Sequence, residues 1–150
     1  LHLVAIPTSG IQADMLIGAG SVAVMESAGV TLDEQGQAGR FVDAVKRGAI
    51  GLKDSTCPAI VSGLQAGEKG VPFFPMRGLI GSDLLKYRAD YRVIDNPFAE
   101  DGDPIVLLPA IVPDVATASG PSPCSTASRW AGLRPSRSWG DMTAHPTAPG

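Results

Sequence analysis

Residues 70–85 read GVPFFPMRGLIGSDLL and join an apolar cluster to a glycine-rich polar loop. Two phenylalanines stand between two prolines, and two glycines then lead to a serine and an aspartate. Glycine allows a backbone to approach a ligand closely, while phenylalanine carries a large apolar surface. We therefore expect this stretch to form one wall of a binding site.

Strand-like and helix-like patterns alternate on both sides of this loop. Apolar runs rich in Leu, Val and Ile predict strands at 1–6, 21–26, 49–53, 91–95 and 104–111. Helical spacing predicts helices at 11–20, at 40–48 and directly after residue 56. The alternation predicts the α/β class, with an open, mostly parallel sheet and flanking helices. Ligands of such sheets bind beyond the carboxyl ends of the strands.

Each predicted helix has an apolar stripe that we expect to be buried. The stripes are Ile11, Met15 and Leu16; Phe41, Val42 and Val45; and Ile60, Val61 and Leu64. Asp54, Ser55 and Thr56 come just before the third helix and form the best polar cluster. They either cap that helix or present a ligand site at its amino end.

Length and charge limit the class of protein. A chain of 150 residues forms one domain at most. The net charge of −3 comes from mixed signs without basic clusters, which disfavours nucleic-acid binding. No apolar run approaches the ~20 residues of a membrane span. Cys57 and Cys124 lie far apart, and no signal-peptide pattern is present, so we expect a cytoplasmic protein with unpaired thiols.

Composition divides the chain near residue 116. Residues 117–150 are dominated by Ser, Pro, Ala, Thr and Gly, and include both Trp130 and Trp139. Such a segment cannot form a core, and two explanations stay open: a disordered extension, or a shifted reading frame. We therefore expect function in residues 1–116, and we expect the natural amino terminus to precede Leu1, since the chain opens inside a strand-like run.

Other chemistry finds little support in the sequence. His2, His145 and the two cysteines lack ligand spacing, so we predict no metal. The glycines at 18–20 end a helix rather than open one, which argues against a phosphate-binding loop. For Cys57 a buried structural thiol and a helix-activated thiolate both stay open, and the first is favoured.

Four stretches together resemble the alpha (A) subunit of family I CoA-transferases, nearest the glutaconate CoA-transferase-like branch. They are DMLIGAGSV (14–22), GLQAGEKGVPFFPMRGLIGSDLL (63–85), YRVIDNPF (91–98) and LLPAIVPDVA (107–116). The resemblance implies an open α/β domain that pairs with a homologous B subunit and transfers coenzyme A from an acyl-CoA to a carboxylic acid. It also implies that the catalytic Glu, which forms a glutamyl-CoA thioester, belongs to the B subunit.

The resemblance gives this chain a part of the acyl pocket and no catalytic residue. The implied substrate-binding residues are Ser55, Thr56, Arg77, Gly78, Gly81 and Ser82. Phe73, Phe74 and Pro75 would anchor the loop in the core. Some relatives place Gln or Glu near the position of Cys57, which puts that role in doubt here.

Two alternatives stay open. One is a CoA-ester hydrolase of the same superfamily that cleaves ring fragments; it would need a carboxylate base near Cys57, and only Asp54 is close. The other is an inactive, truncated fragment, because the family's first strand and an Asp-Gly-Asn type turn after residue 116 are not found.

Overall fold

A computed structural model describes residues 1–6, 8–99 and 102–117. The chain divides into two units, Leu1–Ile111 and Val112–Gly150, and the elements described below belong to the first. The predictions for the tail, including Trp130, Trp139 and Cys124, fall on residues 118–150, outside the described part. In the described ranges no helix has both the length and the apolar character needed to span a bilayer.

Helices and strands alternate through the first unit, as the sequence predicts. The strands are β1 (His2–Ala5), β2 (Val24–Ser27), β3 (Gly51–Asp54), β4 (Phe73–Met76), β5 (Arg92–Asp95) and β6 (Pro104–Pro109). The helices are α1 (Ile11–Gly18), α2 (Gly39–Lys46), α3 (Cys57–Lys69) and α4 (Leu84–Tyr87), with a 3₁₀ turn at Asp33–Gln35. The α/β class, with a parallel sheet and flanking helices, is confirmed.

The first three strands form a parallel sheet in the order β1-β2-β3. In its register Ala5 lies beside Ser27, and Ser27 lies beside Asp54, so the three carboxyl ends share one edge. An apolar cluster from α1, α2 and the sheet supports one face; its buried members are Ile17, Val22 and Ala44. The shared edge is where a ligand site is expected.

The last three strands form an antiparallel sheet in the order β4-β6-β5, so the parallel pattern stops after β3. Strand β4 lies inside the stretch that the sequence indicates as a loop. Pro75 argues against a strand there, because proline cannot donate to the ladder. The Ala110 N–H donates to the Pro72 carbonyl at 3.0 Å, so residues 72 and 110 form a hydrogen-bonded pair. Hydrogen-bonded and non-hydrogen-bonded pairs alternate along an antiparallel ladder. The register therefore places Pro75 and Pro109 in non-hydrogen-bonded pairs, where no N–H is needed.

The antiparallel sheet and α3 enclose the larger apolar cluster. Ala59, Leu79, Val106 and Leu108 are all at most 2 % exposed, and partly buried side chains surround them. Helix α3 packs closely on β6 at Gly63: a Cβ built there would lie 2.9 Å from Ile111 Cδ1. This close approach sets the position of α3 and of its amino end.

Several expectations about burial are wrong in whole or in part. In α1 the predicted stripe is exposed, with Met15 at 60 %, while Ala13, Asp14 and Ile17 are buried. Of the expected anchors of the glycine-rich loop, Phe73 is 45 % exposed and Pro75 is exposed, whereas Phe74 is half-buried. Val45 and Val61 of the other stripes are also exposed. Neighbouring elements, which periodicity in one helix cannot reveal, decide which face is covered.

Candidate functional site

Strand β3 passes directly into α3 through the short turn Asp54, Ser55 and Thr56, here called the β3–α3 turn. The Ser55 N–H donates to the Ser27 carbonyl at 3.2 Å, which extends the parallel ladder to the sheet edge. Thr56 caps α3, since its Oγ1 accepts from the Ala59 N–H at 3.3 Å. The amino end of this 13-residue helix carries partial positive charge and favours anionic groups.

The glycine-rich loop, residues 77–83, shares an apolar cluster with the first turn of α3. Leu79 is 2 % exposed and belongs to the same apolar cluster as Ala59, so Leu79 anchors the loop more deeply than the half-buried Phe74 or the exposed Phe73. Gly81 has a φ of +81°, a conformation that favours glycine. The loop and the β3–α3 turn were predicted separately to line a site. One apolar cluster joins the loop to the helix that this turn begins.

Within the loop the predicted polar side chains already have contacts inside the chain. The exposed Arg77 guanidinium pairs with Asp103 at the start of β6. Ser82 Oγ accepts from the Leu84 N–H at 3.2 Å and so holds the start of α4. Gly78 and Gly81 are exposed backbone positions. Of these side chains, Arg77 extends furthest into solvent.

A buried guanidinium, not singled out by the sequence, lies beneath this region. Arg88 is 4 % exposed, and its Nη2 donates to Glu26 Oε1 at 2.7 Å. Its Nε donates to Asp90 Oδ1 at 2.8 Å, and its Nη1 donates to the Asp54 carbonyl at 3.0 Å. Glu26, also buried, is approached on its other oxygen by His2 Nε2 at 3.0 Å. These groups form a continuous polar network under the sheet edge.

Tyr91 connects the network to the β3–α3 turn. The Arg88 guanidinium stacks 4.0 Å from the centre of the Tyr91 ring, a cation–π contact. The Tyr91 hydroxyl and Ser55 Oγ are 2.8 Å apart, and either can donate. Ser55 is buried, so this contact fixes the direction of its hydroxyl.

Pairing within the network shifts the pKa values of Arg88 and Asp90 toward their charged forms. Hydrogen bonds from Arg88 lower the pKa of Asp90, and Lys53 adds to the effect. Burial would lower the pKa of Arg88, but Asp90, Tyr91 and Glu26 outweigh it and raise that pKa. Burial raises the pKa of Tyr91, which keeps its phenol protonated. Arg88 and Asp90 are therefore charged at neutral pH, and Tyr91 is able to donate.

An open cleft of about 480 Å³ lies beside the network. Its walls are the end of β3, residues 52–54, and the segment 87–90 after α4. Across residues 1–6, 8–99 and 102–117, no cluster of three or more His, Cys, Asp or Glu side chains is placed to hold a metal ion. Cys57, partly buried, begins α3.

Comparisons with known proteins point to one group of enzymes. The chain is 31 % identical over 118 residues to the A subunit of 3-oxoadipate CoA-transferase from Pseudomonas knackmussii, across 77 % of this chain and 41 % of that protein. A stretch of 52 residues is 40 % identical to an uncharacterized protein of Archaeoglobus fulgidus, covering 35 % of this chain and 11 % of that one. No family model matches the chain.

Solved structures share the fold. Glutaconate coenzyme A-transferase from Acidaminococcus fermentans superposes with a TM-score of 0.64 at 26 % identity, over 71 % of this chain and 38 % of that one. A variant of the decarboxylase AibA/AibB superposes with a TM-score of 0.64 at 24 % identity, over 77 % of this chain and 43 % of that one.

The fold and these relatives first define a class: an α/β domain of the CoA-transferase type. More particularly, the chain is homologous to the A subunit of the family I CoA-transferases. It spans about two fifths of the length of the 3-oxoadipate CoA-transferase subunit that it matches.

Proposed function

We propose that this chain provides the A-subunit residues of a two-chain CoA-transferase, which moves coenzyme A from an acyl-CoA to a carboxylic acid. The homology to the A subunit of a CoA-transferase supports this reaction class. In the net reaction one thioester bond breaks and one forms, and the donor acid leaves as its carboxylate. No oxidant and no metal are needed. A homologous B subunit supplies the glutamate that carries the intermediate.

The part of this chain is to form one wall of the acyl pocket. The observation that carries this assignment is that Leu79 of the glycine-rich loop and Ala59 in the first turn of α3 belong to one buried apolar cluster. The Thr56 hydroxyl and the partial positive charge of the helix end stabilise the negative charge that develops on the thioester oxygen. Gly78 and Gly81 leave room for the substrate to approach the backbone.

Two kinds of side chain in this wall have distinct roles. Arg77 is 66 % exposed, and its guanidinium can leave Asp103 for the carboxylate of a dicarboxylic substrate at little cost. Ser55 and Ser82 act through the loops that they hold, because both hydroxyls already have partners inside the chain. Arg77 therefore selects the substrate, and the two serines keep the pocket wall in place.

The test is a transfer assay on the chain co-purified with the candidate B subunit encoded beside it. Acetyl-CoA serves as the donor, and 3-oxoadipate or glutaconate as the acceptor. We expect Arg77→Ala to lower kcat/KM about 10- to 100-fold, as expected for a lost hydrogen bond to a charged group. Arg47→Ala removes an exposed ion pair with Asp43 on α2 and should leave the rate unchanged.

Mass spectrometry of the complex with acetyl-CoA alone separates the alternatives. We expect the coenzyme A adduct on the partner and none on this chain. An adduct on this chain would contradict the assignment. The ring-fragment hydrolase would add water across a carbon–carbon bond and leave the thioester intact, so hydrolysis of a cyclic CoA ester without transfer to an acid would instead support that alternative. A co-purified complex with neither activity would point to the inactive fragment.

A further inference from the structure

Arg88 joins three segments that the sequence keeps apart: β2, the end of β3, and the stretch between α4 and β5. We infer that Arg88 is a positioning residue that holds the β3–α3 turn in its working conformation. What that turn binds rests on the function proposed above. The conformational part of the inference stands on the contacts of Arg88 alone.

The first contact route is direct. Arg88 Nη1 donates at 3.0 Å to the carbonyl of Asp54, which is the last residue of β3 and the first residue of the turn. The direction of this donor is fixed, because Nη2 is held by Glu26 at 2.7 Å and by Asp90 at 2.9 Å, while Nε is held by Asp90. A planar guanidinium with three held nitrogens has one orientation. The position of the Asp54 carbonyl is therefore specified by β2 and by Asp90.

The second route passes through Tyr91. The guanidinium covers the ring at 4.0 Å, and the ring hydroxyl lies 2.8 Å from Ser55 Oγ. Arg88 thus fixes the turn at two consecutive residues, one by its backbone and one by its side chain. Lysine cannot reproduce this arrangement, because an ammonium group has no fork and stacks less well on an aromatic ring.

Stability alone does not account for such a network. Replacing a buried ion pair by apolar side chains of similar volume is often neutral or stabilising, whereas removing one partner leaves a buried charge and is strongly destabilising. Glu26 would be that charge, with only the half-exposed His2 beside it. Replacing Arg88 and Glu26 together leaves no unpaired charge between them. The effect on the position of the turn can then be measured apart from the effect on the stability of the fold.

The test compares the wild type with Glu26→Leu/Arg88→Met by hydrogen exchange and by urea unfolding. We expect the double variant to unfold close to the wild-type midpoint. We expect amides in residues 54–60 to exchange about tenfold faster or more, while α2 keeps its wild-type rates. The matched control Asp43→Leu/Arg47→Met makes the same apolar exchange at an exposed ion pair and should change neither region.

Arg88→Lys provides a second reading if the double variant does not fold. Lysine keeps a positive charge for Glu26 but cannot contact Asp54, Asp90 and Tyr91 together. We expect faster exchange at 54–60 with wild-type exchange in α2. Wild-type exchange at 54–60 in a folded variant of either kind would overturn the inference.

The transfer assay then connects the turn to the proposed chemistry. In the complex we expect both Arg88 variants to lower kcat with little change in KM, since the turn acts on the transition state. A rate that recovers together with stability in the double variant would reduce Arg88 to a structural residue. If the wild-type complex transfers no coenzyme A, the proposed function fails, while hydrogen exchange still decides whether Arg88 positions the turn.

Discussion

The parallel and antiparallel halves of the first unit are held together by different kinds of contact. In the parallel half the most deeply buried side chains include two carboxylates, Asp14 at 1 % and Glu26 at 3 % exposure. In the antiparallel half they are aliphatic: Val106, Leu108 and Leu79 are all at most 2 % exposed. Apolar packing is indifferent to pH and tolerates little change of volume. Buried charges respond to pH and fix the orientation of the groups that pair with them. The parallel half should therefore be the more sensitive to pH, and the antiparallel half the more sensitive to a change of side-chain volume.

Asp14 shows how charge replaces packing in the parallel half. Its Oδ1 accepts from the backbone N–H groups of Arg40 and Phe41, at 2.9 and 3.0 Å, and its Oδ2 accepts from Arg40 Nη1. A side chain of α1 thus satisfies the amino end of α2. This contact does what a capping residue of α2 itself would otherwise do, since Ala38 at that position has no side-chain acceptor.

The largest effect is expected in the antiparallel half, at Leu79. Leu79→Ala should lower the free energy of unfolding by about 2–5 kcal/mol, the range for a large buried aliphatic side chain. The loop would also lose its anchor beside Ala59, so transfer activity should fall with stability. Urea unfolding measures the first effect. Ile80→Ala, at a neighbouring side chain that is 40 % exposed, should cost far less, and equal losses would contradict the anchoring role of Leu79.

Gly63→Ala tests the same half by adding volume. The new Cβ would meet Ile111 Cδ1 at 2.9 Å and the Pro109 carbonyl at 3.1 Å, so α3 must shift away from β6. We expect a loss of about 1–3 kcal/mol by urea unfolding. Gly39→Ala, where nothing lies within 4 Å of the new Cβ, should be neutral or slightly stabilising. A neutral Gly63→Ala would mean that α3 is free to move over the sheet.

The sequence predicted the elements of both halves well, apart from β4 and α4. The apolar runs at β1, β5 and β6 and the helical spacing of α2 and α3 give correct elements, because period and turn signals are local. Strand β4 was missed, since Pro75 argues against pairing until the register is known. Local signals thus fail where the partner strand decides which N–H groups are needed.

The polar contacts could not be predicted in the same way. Arg88 and Glu26 are 62 residues apart, and neither belongs to a recognisable motif. One signal was available: Glu26 lies inside the apolar run of β2, and a buried carboxylate requires a cationic partner. The sequence offers several candidates for that partner and no way to choose among them. Which charge pairs with which is decided by the packing of the segment after α4 onto the sheet.

The smallest expected effect, Asp14→Asn, separates the halves most clearly because it depends on pH. Burial would raise the pKa of Asp14, but the hydrogen bonds from Arg40 and Phe41 outweigh it, and the net pKa lies below the ordinary value of 3.8. A carboxyl group with a lowered folded-state pKa stabilises the fold above the unfolded-state pKa, and this stabilisation is lost as pH falls through the folded-state value. Asparagine keeps the acceptor oxygen without the charge, so we expect a loss of about 1 kcal/mol at pH 7.

Unfolding by urea between pH 7 and pH 2.5 measures that loss. The difference between wild type and Asp14→Asn should shrink as pH falls below about 4, first because the carboxyl is protonated in the unfolded chain and finally because it is protonated in the folded protein. The deficit of Leu79→Ala should stay constant over the same range, because the other buried members of its cluster, Ala59, Val106 and Leu108, carry no titratable group. A pH-independent deficit for Asp14→Asn would show that its hydrogen bonds, and not its charge, hold α2. The difference between a half held by buried charges and a half held by apolar packing would then have no support at Asp14. It would rest on Glu26 and Arg88 alone.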